Sequence, residues 1–99
     1  MNDDFFTNLI LSYGFQTLEY TGDEIDVLNY YEFKIEEPKE VHHLSIYCYK
    51  DDTFSLYRNE GFIKVKLSSN KMNIYNLRLS IEKSIPKKIL KKVYNERGG

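Results

Sequence analysis

The sequence predicts a two-layer α+β fold: an N-terminal helix, a five- or six-stranded antiparallel meander sheet and a C-terminal helix. Three observations predict it. Apolar residues recur at helical spacing at both ends of the chain, they alternate with polar residues through its middle, and turn residues punctuate that middle at short intervals. With 99 residues, the chain forms a single domain, 1–99, with room for one core.

Phe5, Phe6, Leu9, Ile10 and Tyr13 make the apolar stripe of the first helix, with Asn2, Asp3 and Asp4 available to cap it and to complement its dipole. Gly14 is its expected left-handed stop, and Phe15 folds back on the last turn.

The meander follows. "FQTLEY" and "EIDVLNYYEFKI" are separated by Thr21, Gly22 and Asp23. "VHHLSIYCYK" comes after Pro38 and "TFSLY" after the turn at Asp51 and Asp52. "FIKVKL" follows Asn59, Glu60 and Gly61, and "NIYNLRLSI", read as a sixth strand, follows "SSNK".

The closing helix starts with Ser84 as cap and Pro86 in its first turn, and Gly98 suits its end. On its wheel Ile85, Ile89, Leu90, Val93 and Tyr94 sweep one half, and Lys87, Lys88, Lys91 and Lys92 the other.

Strand alternation assigns two faces. Ile25, Val27, Tyr31, Phe33 and Ile35 share one side of their strand with Leu44, Ile46 and Cys48 on the next, then Ile63, Val65 and Leu67, then Tyr75, Leu77, Leu79 and Ile81. This set is the expected core, under both helices. The opposite parity carries Tyr30 and Lys34, then His43, Tyr47 and Tyr49, then Lys64 and Lys66, then Asn76 and Arg78.

That second face is wet but aromatic, and it carries the functional expectation. Tyrosine occurs nine times, and each ring offers a large contact area at low entropy cost with a hydroxyl to hydrogen-bond. The same rings also serve a half-exposed sheet as cross-strand pairs.

Charge divides the chain. Residues 1–40 hold ten acids against two lysines, a net of −8, and residues 41–99 hold twelve basic residues against five acids, a net of +7. Folding either cancels this asymmetry or leaves separate acidic and basic surfaces.

Two partner classes follow. The first is another protein, met by a small non-enzymatic binding protein of inhibitor or immunity type through Tyr30, Tyr47 and Tyr49, with Asp23, Glu24 and Asp26 as an acidic rim. The alternative is nucleic acid or a nucleotide, held by Lys64, Lys66 and Arg78 with Lys87, Lys88, Lys91 and Lys92 of the closing helix. Asp26 and Glu32 share that parity and repel phosphate. Homodimerisation through the uncovered face is a third option.

Catalytic, cofactor and metal sites are not expected. Cys48 lies on the apolar parity, where burial suppresses thiolate chemistry, and His42 stands about 20 Å from it along the strand. With one cysteine, no run near 18 apolar residues and an acidic opening "MNDDFFTNLI", the expected setting is cytoplasmic, without membrane. Alanine and tryptophan are absent while Lys, Asn, Ile, Tyr and Phe abound, the codon bias of a low-GC bacterium or its phage.

Overall fold

The computed structural model describes residues 3–36, 41–67 and 71–90. Its order is α1 (Asp3–Ser12), β1 (Gln16–Leu18), β2 (Val27–Glu36), β3 (Val41–Tyr49), β4 (Phe54–Glu60), β5 (Ile63–Lys66) and α2 (Ile74–Ser84), with the chain helical again over 87–90. The five strands form one open antiparallel sheet in the sequential order β1-β2-β3-β4-β5, and the helices cover one of its faces. The α+β meander read from the sequence is the fold.

Local chemistry explains the joints. Gly14 has φ 99°, a left-handed conformation that costs glycine least, and Phe15 directly behind it is fully buried. The β3–β4 turn is held by Asp51, whose carboxylate accepts from the Thr53 N–H at 3.2 Å and the Thr53 hydroxyl at 2.6 Å. Gly61 (φ 64°) and Phe62 join β4 to β5, with positive φ at the first loop position alone, as a type II′ hairpin requires.

The core lies between sheet and helices. Tyr31 and Phe33 of β2, Leu44, Ile46 and Cys48 of β3, and Phe54 and Leu56 of β4 meet Ile10 of α1, Leu77 and Ile81 of α2, and then Ile85 and Ile89. Phe6 of α1 packs edge-on against Phe54 at 5.7 Å, and the Tyr13 hydroxyl donates to Glu82 Oε2 at 2.9 Å, tying the end of α1 to α2. Each buried aliphatic or aromatic side chain stabilises by about 1.5–3 kcal/mol.

Three expectations need correction. The segment read as a sixth strand is α2. Asn73 caps it, its Oδ1 accepting from the Asn76 N–H at 2.8 Å, and Leu77 and Ile81 are buried at i, i+4. Tyr75 and Leu79, 64% and 46% exposed, point away, and Asn76 and Arg78 belong to a helix and not to the open sheet face.

Second, Ile25 and Val27 do not join the core. Ile25 is 82% exposed in the turn before β2, and an irregularity between Val27 and Asn29 shifts the register so that Val27 pairs with Tyr49 of the opposite parity. Ile63 is likewise largely exposed, beside the turn between β4 and β5.

Third, Ser84 ends α2 and does not cap the closing helix. Pro86 biases Ile85 to extended backbone (φ −119°, ψ 125°), and the next helical bonds run from Ile89 and Leu90 to the Pro86 carbonyl. Ile85 and Ile89 are buried and Lys87 and Lys88 exposed, as the helical wheel requires. The wheel positions Lys91, Lys92, Val93 and Tyr94, and the stop at Gly98, lie outside the described residues.

A tyrosine cleft on the open sheet face

The face that the helices of the described residues leave open is built by register. Leu18 of β1 lies opposite Tyr30 of β2, Tyr30 opposite Tyr47 of β3, and Ser45 opposite Tyr57 of β4. Lys64 and Lys66 of β5 stand opposite Asn59 and Tyr57. Tyr20, from the loop after β1, folds over this row. Its ring is 5.9 Å from Tyr47 and perpendicular to it (86°), and 6.3 Å from Tyr30. Tyr30 and Tyr47 are 5.0 Å apart, and Tyr57 meets Tyr47 edge-on at 5.3 Å. Such pairs contribute about 0.5–1.5 kcal/mol each beyond their burial.

Gly22 makes room for this arrangement: a Cβ there would lie 2.3 Å from the Tyr20 hydroxyl. That hydroxyl accepts from the Glu24 N–H at 3.2 Å, which holds the loop beside the sheet. The result is a cleft of ≈ 430 Å³ lined by Leu18, Tyr20, Tyr30, Glu32, Tyr47 and Lys64, with the loop 19–22 as its far wall.

A polar network organises the cleft floor. Lys64 Nζ donates to the Tyr47 hydroxyl at 2.6 Å and reaches the Tyr30 hydroxyl at 3.5 Å, with its charge 5.1 and 5.3 Å from the two ring centroids. Burial lowers the Lys64 pKa, but the two phenols outweigh it and the net shift is upward, so the group is an ammonium at neutral pH. Among the described residues it makes no salt bridge with a carboxylate.

Tyr30 donates to Glu32 Oε2 and therefore accepts from Ser45 Oγ at 3.2 Å, while Ser45 Oγ accepts from Asn59 Nδ2 at 2.8 Å. Glu32 Oε1 is 3.0 Å from His43 Nε2. Burial and then the Glu32 hydrogen bond raise the Tyr30 pKa, keeping the phenol protonated. Among the described residues no buried side-chain polar atom lacks a partner.

For Glu32, burial pushes the carboxyl pKa up, while the hydrogen bonds from Tyr30 and His43 outweigh it and leave the value lowered. A carboxylate with a depressed folded pKa stabilises the fold above its unfolded value, and the contribution is lost as pH falls through the folded one. Wild type should therefore exceed Glu32→Gln by of order 1 kcal/mol at neutral pH, with the gap closing below about pH 4. Urea unfolding of both proteins across that range checks this; a gap constant with pH would contradict the network.

The candidate contact residues divide by position. Tyr47 is a half-buried wall of the cleft, Tyr30 a buried part of its floor. Tyr49 shares the face but is buried, its hydroxyl on Ser55 Oγ at 3.1 Å and the Lys71 ammonium 3.9 Å above its ring. Asp23, Glu24 and Asp26 are all exposed and continue the chain from the cleft wall, with Ile25 protruding among them.

The basic candidates do not form one surface. Lys64 and Lys66 lie on the open face, whereas Arg78, Lys87 and Lys88 belong to the helical layer; Lys91 and Lys92 lie outside the described residues. Arg78 is also paired with Glu82 at 3.3 Å.

The cleft contains groups that the residue pattern had not assigned to a site. Glu32 and Tyr57 were accessible by parity alone, since Glu32 is two residues beyond Tyr30 and Tyr57 two beyond Ser55. Tyr20, two residues beyond Leu18, shared that parity in the segment read as a strand, but β1 ends at Leu18 and the place of Tyr20 depends on the loop path through Gly22. The chain matches no protein-family model, no curated protein and no solved structure. No helix among the described residues is long and apolar enough to cross a membrane.

Proposed function

We propose that this chain acts by docking on another protein through its open sheet face, with the tyrosine cleft at the centre of the contact and Asp23, Glu24 and Asp26 as an acidic rim. One observation carries the reading: the helices cover a single face, and the other gathers Tyr20, Tyr30, Tyr47 and Tyr57 into one cluster around Lys64. Tyrosine walls already fixed by ring packing and hydrogen bonds lose little entropy when a partner arrives. Occupying a partner's surface is the mode of inhibitor and immunity-type proteins, and the short chain, its low-GC residue composition and its lack of catalytic motifs suit a small non-enzymatic protein of that kind, working in the cytoplasm of a bacterial cell.

Tyr20→Ala combined with Tyr47→Ala should weaken capture of the protein partner by more than about ten-fold while unfolding stays cooperative. The partner is first identified by mass spectrometry of proteins retained on the wild-type chain, and its affinity is then measured for each variant. Tyr75→Ala with Leu79→Ala, on the exposed side of α2, is the control. Retention by the tyrosine variant and loss in the control would move the interface to the helical layer.

Lys64 and Lys66 beside Tyr47 and Tyr57 favour nucleic acid as the second reading. Against it, Glu32 lies in the same cluster and the remaining basic candidates sit on the helices. Binding of mixed single-stranded oligonucleotides that falls steeply with salt would favour nucleic acid over the protein partner.

A further inference from the structure

We propose that the free edge of β5 takes up an extended, acidic segment of the partner protein as an added strand, a role that rests on the docking reading and extends it beyond the cleft. β5 is the last strand of an open sheet, and among the described residues no strand pairs with its outer side. The register shows which backbone groups are free. Leu67 N–H donates to the Leu56 carbonyl at 2.9 Å. Antiparallel pairs alternate between bonded and non-bonded, so Val65 and Ile63 also turn their amides toward β4. The N–H and C=O groups of Lys64 and Lys66 therefore point outward.

Natural sheets blunt such edges with short strands and lysines. This edge has both devices, yet beside it stand two consecutive exposed apolar residues, Phe62, fully exposed, and Ile63, 66% exposed. Lysine deters a strand of like charge and attracts one of opposite charge. A second copy of this chain is the wrong occupant: antiparallel self-pairing of Ile-Lys-Val-Lys sets lysine against lysine on one face, a destabilising arrangement.

The fitting occupant has Asp or Glu at alternate positions. Those side chains would meet Lys64 and Lys66 on the tyrosine face, and the residues between them, apolar, would cover Ile63 and Val65. Lys64 is already anchored on Tyr47, so the added strand would be continuous with the cleft.

The probe is a blocked ten-residue peptide in which Glu alternates with Val and Thr, compared with the same peptide carrying Lys for Glu. Saturating Glu peptide should slow amide exchange at Lys64 and Lys66 by at least about ten-fold, with no change from the Lys peptide. Proline removes an outward N–H without touching the β4 ladder, so Lys66→Pro should bind the Glu peptide at least about ten-fold more weakly than Lys66→Ala, which lacks the same charge but keeps the amide.

Unchanged exchange, equal slowing by both peptides, equal affinity of the two Lys66 variants, or the same slowing by a single-stranded oligonucleotide would overturn the edge assignment. If Lys66→Pro fails to fold, the exchange measurement on the wild-type chain decides alone. Loss of partner binding in the Tyr20 and Tyr47 variant with a silent edge would reject this inference and leave the cleft reading standing. The reverse pattern would reject the cleft.

Discussion

Phe54→Ala is expected to lower the unfolding free energy by about 3–5 kcal/mol, the range for deleting a fully buried phenylalanine. Phe54 opens β4, opposite Cys48 of β3, and exchanges two backbone hydrogen bonds of 2.7 Å with Met72 on its other side. The Phe6 ring of α1 stands edge-on to it. Removing the ring therefore opens a void where sheet and α1 meet, and neither layer can close it alone because each is fixed by its own backbone bonds. In a domain of this length the loss corresponds to a melting temperature lower by about 15–30 °C. Against a typical total of about 5–15 kcal/mol, much of the margin disappears.

Phe62→Ala is the matched control. The same side chain at the β4–β5 turn is in water, and its loss should change stability by less than about 0.5 kcal/mol. Thermal and urea unfolding of both variants measures the contrast. A cost below about 1 kcal/mol for Phe54→Ala would mean that α1 does not pack on β4 as described.

What the residue pattern revealed follows from how local each signal is. The end of α1 was legible because Gly14 and Phe15 act within one turn. The core face of β3 was legible because Leu44, Ile46 and Cys48 alternate without interruption, and all three are buried. Ile25 failed because the same parity was carried back past an irregular pairing at Val27, where counting by twos no longer tracks the face. Of the cleft, Tyr30, Tyr47 and Lys64 could be placed together from alternation. Tyr20 was read as the end of a strand that in fact stops at Leu18, and its position in the loop beyond depends on contacts with strands elsewhere in the sequence. The sixth strand failed differently: its apolar residues satisfied two periods at once.

Leu77→Ala should cost about 2–5 kcal/mol and Leu79→Ala less than about 1 kcal/mol, and this contrast separates those two periods. As a strand, the segment would place Tyr75, Leu77, Leu79 and Ile81 on one face, and the two leucines would cost the same. As a helix, it buries Leu77 and Ile81 at i, i+4 and turns Tyr75 and Leu79 outward. Asn73 tips the balance: its side chain satisfies an amide that the first helical turn leaves without a partner, whereas a strand has no use for that bond. Leu77 is fully buried within the core cluster, so its truncation creates a cavity, while Leu79 loses only surface that is already half in water. Equal costs for the two substitutions would return this segment to the sheet, put Arg78 on the face opposite Leu77, and remake the open surface on which the docking proposal depends.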